Sequence, residues 1–480
     1  MSNIRFELNM IVWGEAYTNL FLKVTLPTLL AAGNLPALAK FGKSRLTIYT
    51  HKRDEAAMTK CDAFRYLSTF VDIEFVDIEQ EQSQQNTWFT MTTCHNRAIS
   101  KARKNNAFAV FIIPDHVYSH NSFETAINAI KQGFKGVLVL QLPAIRDSFL
   151  EELLPTYCNA GLPDISISPD NLLKLWNRHK HPGSDFFLWN SRHFPNDSPC
   201  LLGWPTGNIS FVVRSSQFTP LVLLPETDFQ LPTNGPSVYT LDTVLAKKLI
   251  RDQSNVYIVQ DSDHGVQIDM RPLSQNYAVS FDRPNIPMIA CHLNWFRDHG
   301  NGNLEYMERP LFYHYAEDKT DHSKIDEANA IYNKIKQLAS FDTAEQFKEK
   351  LTAYFRSLVL DRSIAVLGSG YIADITHRFA GIMGFRSRVI QKIGELQTNE
   401  YLFLADEPAR LETVFFQLTV MALQHELDFM VTPLAYRQFR QLFPAPISFG
   451  RFYHDYYLEM KKNDIQWTFK VILNKLRHLY

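Results

Sequence analysis

The sequence has few cysteines, no surplus of charge of either sign and no long apolar run. Its five cysteines are widely spaced without a C-x-x-C pair, which argues against a zinc ribbon or a disulfide scaffold and favours a reducing compartment. Lys plus Arg number 49 and Asp plus Glu number 50, so the composition excludes bulk electrostatic binding of nucleic acid. The chain contains no run of about 18 apolar residues, the length that a membrane-spanning helix needs. The amino terminus lacks the apolar core of a signal peptide, so we expect a cytoplasmic protein.

The composition is that of a globular chain, with 45% apolar and 21% charged residues. A length of 480 residues favours two or three domains and an enzyme. Aromatic residues make up 13% of the chain. They suit either a cleft that stacks rings and sugars or a large core.

The first 150 residues alternate strand and helix patterns. Strands are predicted over 10–14, 45–50, 71–79, 108–114 and 137–143, and helices over 17–33, 91–107 and 122–133. This alternation predicts an α/β domain with a mostly parallel sheet.

The later sequence is less regular. Residues 155–240 are rich in loop patterns, with strands predicted over 209–214 and 256–260. Residues 316–345 are charged and helical, and a glycine-turned strand begins near residue 361. We therefore predict two domains, 1–320 and 321–480, the second rich in helices.

Asp115 directly follows the buried strand FAVFIIP. Ligands of α/β sheets bind at the carboxyl ends of the strands, where a carboxylate can hold a divalent cation that bridges a diphosphate. The alternative is that Asp115 caps the turn and helix that follow.

This order of elements, ending in a strand and an acid, resembles the GT-A family of nucleotide-sugar glycosyltransferases. The resemblance implies a GT-A-like, mostly parallel sheet flanked by helices over about residues 1–320, followed by the smaller helix-rich domain. In that family the strand ends in a D-x-D-type motif that binds the metal and the donor diphosphate. Here Pro114-Asp115-His116-Val117 holds one acid, so either His116 supplies a second ligand or no metal is needed.

A literal D-x-D, Asp261-Ser262-Asp263, follows the later strand VYIVQ. Two carboxylates at this spacing can face one cation, so Asp261 and Asp263 are candidate metal ligands beside Asp115. Asp263 is also a candidate acceptor-side base. The alternative is an acidic turn, because D-S-D-H-G is good turn chemistry.

A cluster of His and aromatic residues spans 290–315. The resemblance implies a late histidine at the metal or diphosphate, for which His314 and His299 are candidates. Arg297 is a candidate catalytic cation that neutralises a leaving phosphate. The alternative for each histidine is an ordinary packed or surface role.

The first strand is followed by Trp13-Gly14-Glu15 and Tyr17. In the GT-A resemblance this loop holds the nucleotide, so Tyr17 is predicted to stack on the base and Glu15 to meet the ribose. Trp13 and Thr50, with Lys52 and Arg53, are predicted to join them. The alternative is an ordinary surface loop.

The function that the resemblance implies is sugar transfer from a nucleotide-diphosphate donor to a hydroxyl of a glycan, a lipid-linked or a protein acceptor. Mg²⁺ or Mn²⁺ would be held by Asp115, Asp261, Asp263 and His314. Bacterial surface glycan or glycoprotein assembly is the setting that this class suggests.

Two other functions remain open. Gly368–Ala373 fits G-x-G-x-x-A after a strand, which is typical of NAD(P)-binding oxidoreductases, although Gln391 stands where an acid is expected. A non-catalytic, transferase-like scaffold is the other alternative, favoured by the single acid at Asp115.

The carboxyl-terminal segment 461–480 has the pattern of a basic amphipathic helix. Such a helix can make a peripheral contact with the inner face of a membrane. A helix packed on its own domain is the favoured alternative.

Overall fold

A computed structural model describes most of the first 340 residues and parts of the rest. The described residues are 4–79, 87–158, 163–191, 194–195, 199–232, 241, 243–274, 284, 286, 289–290, 292–294, 304–340, 346, 350, 363–367, 377, 387–391, 395, 400–404 and 429–431. The chain divides into two compact units. The first comprises 1–184, 205–274 and 301–322, and the second 185–204, 275–300 and 323–480.

Seventeen strands are assigned among the described residues. They are β1 Arg5–Ile11, β2 Lys43–Thr50, β3 Asp72–Asp77, β4 Phe108–Ile112, β5 His116–Tyr118, β6 Gly136–Val139, β7 Gln141–Ile145, β8 Leu201–Pro205, β9 Phe211–Ser215, β10 Thr219–Leu223, β11 Val256–Ile258, β12 Gln267–Arg271, β13 Leu311–Tyr313, β14 Ser363–Leu367, β15 Ser387–Ile390, β16 Glu400–Leu404 and β17 Phe429–Val431.

The α-helices of the described residues connect these strands. They are α1 Glu15–Leu20, α2 Leu26–Leu29, α3 Leu35–Phe41, α4 Lys52–Thr59, α5 Asp62–Leu67, α6 Thr87–Lys104, α7 Ser122–Lys131, α8 Arg146–Tyr157, α9 Pro169–His179, α10 Gly183–Phe186, α11 Thr243–Leu249, α12 Leu304–Met307 and α13 His322–Ala339. A π-helix covers Phe21–Thr25, and 3₁₀-helices cover Gln253–Asn255 and Ser262–His264.

The main sheet of the first unit has seven strands in the order β11-β6-β10-β4-β1-β2-β3. Neighbouring strands are parallel except at β10, which runs antiparallel to both β4 and β6. The predicted α/β class with a mostly parallel sheet is therefore confirmed. The parallel arrangement places the carboxyl ends of β1, β2 and β4 at one edge of the sheet.

Strand β1 begins at Arg5, five residues before the predicted strand. Phe6, Leu8 and Met10 are buried on one face. Glu7 and Asn9 are also buried, on the other face, and the Asn9 side chain donates to the carbonyl oxygen of Val110 at 2.8 Å. The start of β1 was not predicted because Glu7 and Asn9 interrupt its apolar pattern. Their burial depends on hydrogen bonds to distant parts of the chain, which the local sequence does not show.

The predicted helix over 17–33 is interrupted by the π-helix. Pro27 lies in the first turn of α2 and carries no backbone N–H to donate to the preceding turn. A wider π turn before it accommodates the lost hydrogen bond.

A three-stranded sheet in the order β5-β12-β7 lies beyond the carboxyl end of β4. The predicted strand 137–143 is in fact two strands, since β6 belongs to the main sheet and β7 to this small one. Strands β10 and β12 were not predicted, because β10 contains Pro220, which disfavours a strand interior, and β12 has only five residues, three of them polar or charged.

The second unit contains a four-stranded sheet in the order β15-β14-β16-β17. All three neighbouring pairs are parallel. The sequence predicted β14, the strand before the glycine turn, and did not predict β16 and β17. Most of the predicted helix-rich sequence after residue 404 lies outside the described residues.

In the first unit, the carboxylate of Asp318 closes the turn at 207–210. Its oxygens accept hydrogen bonds from the backbone amides of Asn208 at 3.0 Å and of Ile209 and Ser210 at 2.8 Å. Burial favours the protonated form, but these amides outweigh it and hold the pKa of Asp318 below its usual value. A Cβ at Gly207 would collide with this carboxylate.

We expect Asp318→Asn to lower the free energy of unfolding by about 1–2 kcal/mol near neutral pH, because charged hydrogen bonds become neutral ones. Folding lowers the pKa of Asp318. The stabilisation by its charged form is therefore present above the unfolded-state pKa of about 3.9, and it is lost as the pH falls through the lower pKa of the folded state. Chemical denaturation across this range measures it, with the exposed Asp72→Asn as control. A wild-type advantage that persists in strong acid would contradict this assignment.

Candidate functional site

The site residues converge where β4 ends and the small sheet begins. Strand β5 pairs antiparallel with β12, which sets His116 opposite Asp269. Strand β7 pairs parallel with β12, which sets Gln141 opposite Gln267. Because paired residues of neighbouring strands share a face, these four polar side chains lie on one side of the small sheet.

Asp115, His116 and Asp269 form a compact group of metal-ligating side chains. Their ligand atoms all lie within 4.8 Å of one another. His116 Nε2 is 3.8 Å from Asp269 Oδ1, whereas Asp269 Oδ2 accepts a hydrogen bond from Arg271 Nε at 2.5 Å. The backbone amide of Met270 donates to the carbonyl oxygen of Asp115 at 3.1 Å and ties the loop to β12.

Burial favours the neutral forms of Asp115 and His116. Burial, with the charge of Asp269 as a second cause, raises the pKa of Asp115 to about 7, against the opposing charges of Arg271 and Arg146. Burial lowers the pKa of His116 to about 4. The group therefore holds a neutral imidazole near neutral pH, and the positive charges near Asp115 do not fully offset the burial of its carboxyl.

Asp269 and Arg271 are site residues that the sequence analysis missed. In β12, Gln267, Asp269 and Arg271 alternate with the buried Ile268 and Met270. An alternating strand that carries an acid and a base on one face was the available signal. It was too short to stand out among surface sequences.

The later acidic motif forms a second group with His314. Asp261 Oδ1 accepts a hydrogen bond from the backbone amide of Asp263 at 2.9 Å, which is the turn chemistry foreseen for D-S-D-H-G. His314 Nε2 is 3.0 Å from Asp261 Oδ1 and 3.6 Å from Asp263 Oδ2. Both carboxylates are substantially exposed, at 40% and 65% of the side-chain surface.

The structure places the two groups apart instead of in one site. Asp115 follows β4 and Asp261 follows β11, and these strands are separated by β10 and β6. Three strand spacings amount to about 14 Å. Asp261, Asp263 and His314 lie together as predicted, but they are not brought beside Asp115.

The loop after β1 lies at the same edge of the sheet. Gly14 has a positive φ of 82°, and its amide donates to Asp54 Oδ2 at 2.8 Å. Tyr17 is 47% exposed; burial of its hydroxyl and the charge of Asp115 raise its pKa. This dependence places Tyr17 within electrostatic reach of the Asp115 group. Glu15 is exposed in the first turn of α1.

Buried polar atoms adjoin this loop at the end of β2. Thr50 and His51 are 1% and 4% exposed, yet Thr50 Oγ1 and both ring nitrogens of His51 have no hydrogen-bond partner in the described part of the chain. The ring of Trp13 lies 6.5 Å from that of His51. Unpaired buried polar groups of this kind often mark a functional site.

Several predicted features lie outside the described residues. They are Arg297, His299, the glycine turn Gly368–Ala373 and the basic segment 461–480. Among the helices that the structure does describe, none combines the length and apolar character needed to cross a membrane.

Comparison with known proteins leaves the chain without an assigned family. No family model and no curated protein matches it. Mouse xyloside xylosyltransferase 1, in its apo form, has a TM-score of 0.22 and 13% identity over 33% of this chain and 64% of that one. A Bacillus anthracis protein described as a glucose-1-phosphate thymidylyltransferase, in complex with a sucrose, has a TM-score of 0.18 and 15% identity over 30% and 57%. The chain thus spans less than two thirds of each, and at these scores its function must be argued from its own residues.

Proposed function

We propose that this chain is a GT-A-like glycosyltransferase that moves a sugar from a nucleoside-diphosphate donor to a hydroxyl acceptor. The observation that carries the proposal is the group of Asp115, His116 and Asp269 at the carboxyl edge of the sheet. Arg271 and the exposed Tyr17 adjoin that group. Ligands of α/β sheets bind at this edge, and a diphosphate needs cationic partners there.

The residues of this group fit a divalent cation. Two carboxylates and a neutral imidazole suit Mn²⁺ better than Mg²⁺, which prefers oxygen ligands alone. The raised pKa of Asp115 supports the fit, because a cation would supply the missing positive charge. When bound, it would neutralise the donor diphosphate as a Lewis acid.

The arginines of the group would help the diphosphate to leave. Arg271 is held in place by its ion pair with Asp269, and the charge of Arg146, the first residue of α8, acts on the Asp115 carboxyl. Two guanidinium groups near a leaving phosphate stabilise the negative charge that develops on it. Arg297 remains a proposed third cation.

The loop after β1 would hold the nucleoside. Tyr17 offers an exposed ring for stacking on the base, and Glu15 a carboxylate for the ribose. Trp13, Thr50 and the ring nitrogens of His51, which make no hydrogen bond in the described part of the chain although Nδ1 lies 3.8 Å from Asp54 Oδ2, would complete this end of the donor site.

The second group would serve the acceptor. His314 lies within 3.6 Å of Asp263, whose exposed carboxylate can accept the proton of an acceptor hydroxyl. A hydroxyl of a glycan, of a lipid-linked sugar or of a protein fits this role. Asp261 would orient His314 through their 3.0 Å contact.

A thermal-shift panel tests the donor class. UDP, GDP, CMP, their sugars and NAD(P) are each added with and without Mn²⁺. We expect one nucleoside diphosphate to raise the melting temperature only with Mn²⁺, because a ligand of the folded state stabilises it by mass action. No shift with any nucleotide would favour the non-catalytic scaffold.

Tyr17→Ala should weaken nucleotide binding about tenfold, the typical value of one base stacked on an aromatic ring. Tyr66→Ala is the matched control, because Tyr66 is 46% exposed and Tyr17 is 47% exposed. Tyr66 instead packs against Phe70, with ring centroids 5.5 Å apart. Titration calorimetry with the nucleotide found in the panel measures both variants. Equal affinities in the two variants would remove Tyr17 from the site.

The second unit supports one other candidate function. In its parallel sheet the first strand, β14, lies between β15 and β16, an order found in doubly wound nucleotide-binding folds. The glycine motif Gly368–Ala373 follows β14 in the sequence. A shift with NAD(P) alone, lost in Gly370→Asp, would move the proposal to an oxidoreductase.

A further inference from the structure

His116 has two glutamine neighbours at one ring nitrogen. The side-chain nitrogen of Gln267 lies 2.8 Å from His116 Nδ1, and that of Gln141 lies 3.2 Å from the same atom. Amide N–H groups donate, so in this arrangement Nδ1 accepts and the ring proton of the neutral imidazole lies on Nε2. Nε2 lies 3.8 Å from Asp269 Oδ1.

This tautomer cannot bind a cation through Nε2, because the lone pair of that nitrogen is taken by the proton. A histidine ligand normally donates its other ring N–H to an acceptor, which fixes the tautomer. For His116 the acceptor would have to stand at Nδ1, where Gln267 is the nearer of the two amides.

Gln267 carries the acceptor that this requires. The residue is 3% exposed, and its side-chain oxygen is buried without a hydrogen-bond partner. A half turn of the planar amide exchanges its oxygen and nitrogen without changing the volume that it fills. The oxygen then accepts from Nδ1–H and no longer lacks a partner.

Asp269 leaves room for a cation beside Nε2. Its Oδ2 is occupied by Arg271 Nε at 2.5 Å, which leaves Oδ1 facing His116. The separation of 3.8 Å between Oδ1 and Nε2 is beyond a hydrogen bond. It is about 0.4 Å wider than the spacing of two tetrahedral ligands with metal bonds of about 2.1 Å, so a small approach of the two side chains would let both reach one cation.

We propose that Gln267 is the positioning residue that selects the tautomer of His116, accepting from Nδ1–H in the cation-bound form so that Nε2 is free as a ligand. This inference rests on the proposed cation site. Gln141 is only partly buried and makes the longer contact, so its amide can turn with that of Gln267. The orientation of the Gln267 amide thereby affects how tightly the site binds a cation.

Two variants of Gln267 separate this role from packing. Gln267→Met keeps the length of the side chain and removes the acceptor. Gln267→Glu keeps an acceptor oxygen but has no N–H to donate, so it can pair only with a protonated Nδ1. We expect the Met variant to lose about 10–100-fold in Mn²⁺ affinity, as outer-shell partners typically do. The Glu variant should stay near wild type. Gln230→Met, at an exposed glutamine outside this group, is the control and should leave the affinity unchanged.

Mn²⁺ binding is measured by the electron paramagnetic resonance signal of the free ion, at constant pH. A second readout is ¹⁵N NMR of the imidazole nitrogens with Zn²⁺ as a diamagnetic probe, assigned by comparison with His116→Gln. Nδ1–H in the wild-type loaded protein supports the proposal, and Nε2–H overturns it. Unchanged Mn²⁺ affinity in the Met variant overturns this inference alone. Failure of wild type to bind Mn²⁺ overturns the proposed cation site as well.

Discussion

Asp115→Asn is expected to lower Mn²⁺ affinity, and donor turnover with it, by more than about 100-fold, because loss of an outer-shell partner alone typically costs 10–100-fold. The asparagine keeps the shape of the side chain but carries no charge. Asp115 lies three residues after the end of β4 in the main sheet, and its ligand atom lies within 4.8 Å of those of His116 and Asp269. Donor hydrolysis in the presence of Mn²⁺, with release of the nucleoside diphosphate, measures the loss.

Asp62→Asn is the control for this experiment, because the side chain of Asp62 is 85% exposed and lies on α5. It should leave turnover and Mn²⁺ affinity unchanged. Full turnover in Asp115→Asn would sink the cation site at the end of β4. The group of Asp261, Asp263 and His314 would then be the next candidate cation site.

The same Asp115→Asn substitution is expected to stabilise the cation-free protein by about 1–3 kcal/mol near pH 8. Burial and the charge of Asp269 raise the pKa of this carboxyl to about 7, so the folded state binds the proton more tightly than the unfolded chain. The stability that this proton contributes is fully present below the unfolded-state pKa of about 3.9, and it is lost as the pH rises through the folded-state pKa of about 7. Asparagine has no charge to bury.

Chemical denaturation in the presence of a chelator, near pH 5 and near pH 8, tests this second effect. The advantage of the variant should grow between these conditions and level off above about pH 7. A constant difference between the two conditions would mean that folding does not raise the pKa of Asp115. A variant that is both more stable and inactive would also show that the loss of turnover does not come from unfolding.

Much of the main sheet could be predicted because its signals are local. The run FAVFI of β4 is completely buried, and Asp115 follows three residues after its end. The α/β alternation and the candidate acid at the strand end follow from such patterns. Strand β1 was placed late because Glu7 and Asn9 are buried polar residues whose partners lie elsewhere in the chain.

The composition of the cation group could not be predicted from local patterns. Gln267 meets His116 across 151 positions of sequence, and Asp269 reaches His116 through pairing of β12 with β5. Neither Gln267 nor Asp269 lies in a recognisable sequence motif, because the pairing of strands from distant segments depends on packing and not on local spacing. The grouping of His314 with Asp261 across 53 positions was inferred only through the family resemblance.

The sequence by itself determined the class of the fold, the position of Asp115 at the end of a buried strand and the turn chemistry of Asp261-Ser262-Asp263. Apolar periodicity and turn residues act over a few positions, so they can be read along the chain. Only the tertiary structure decided that the acids form two groups instead of one. The order of strands in a sheet sets which strand ends are neighbours, and that order puts β10 and β6 between Asp115 and Asp261.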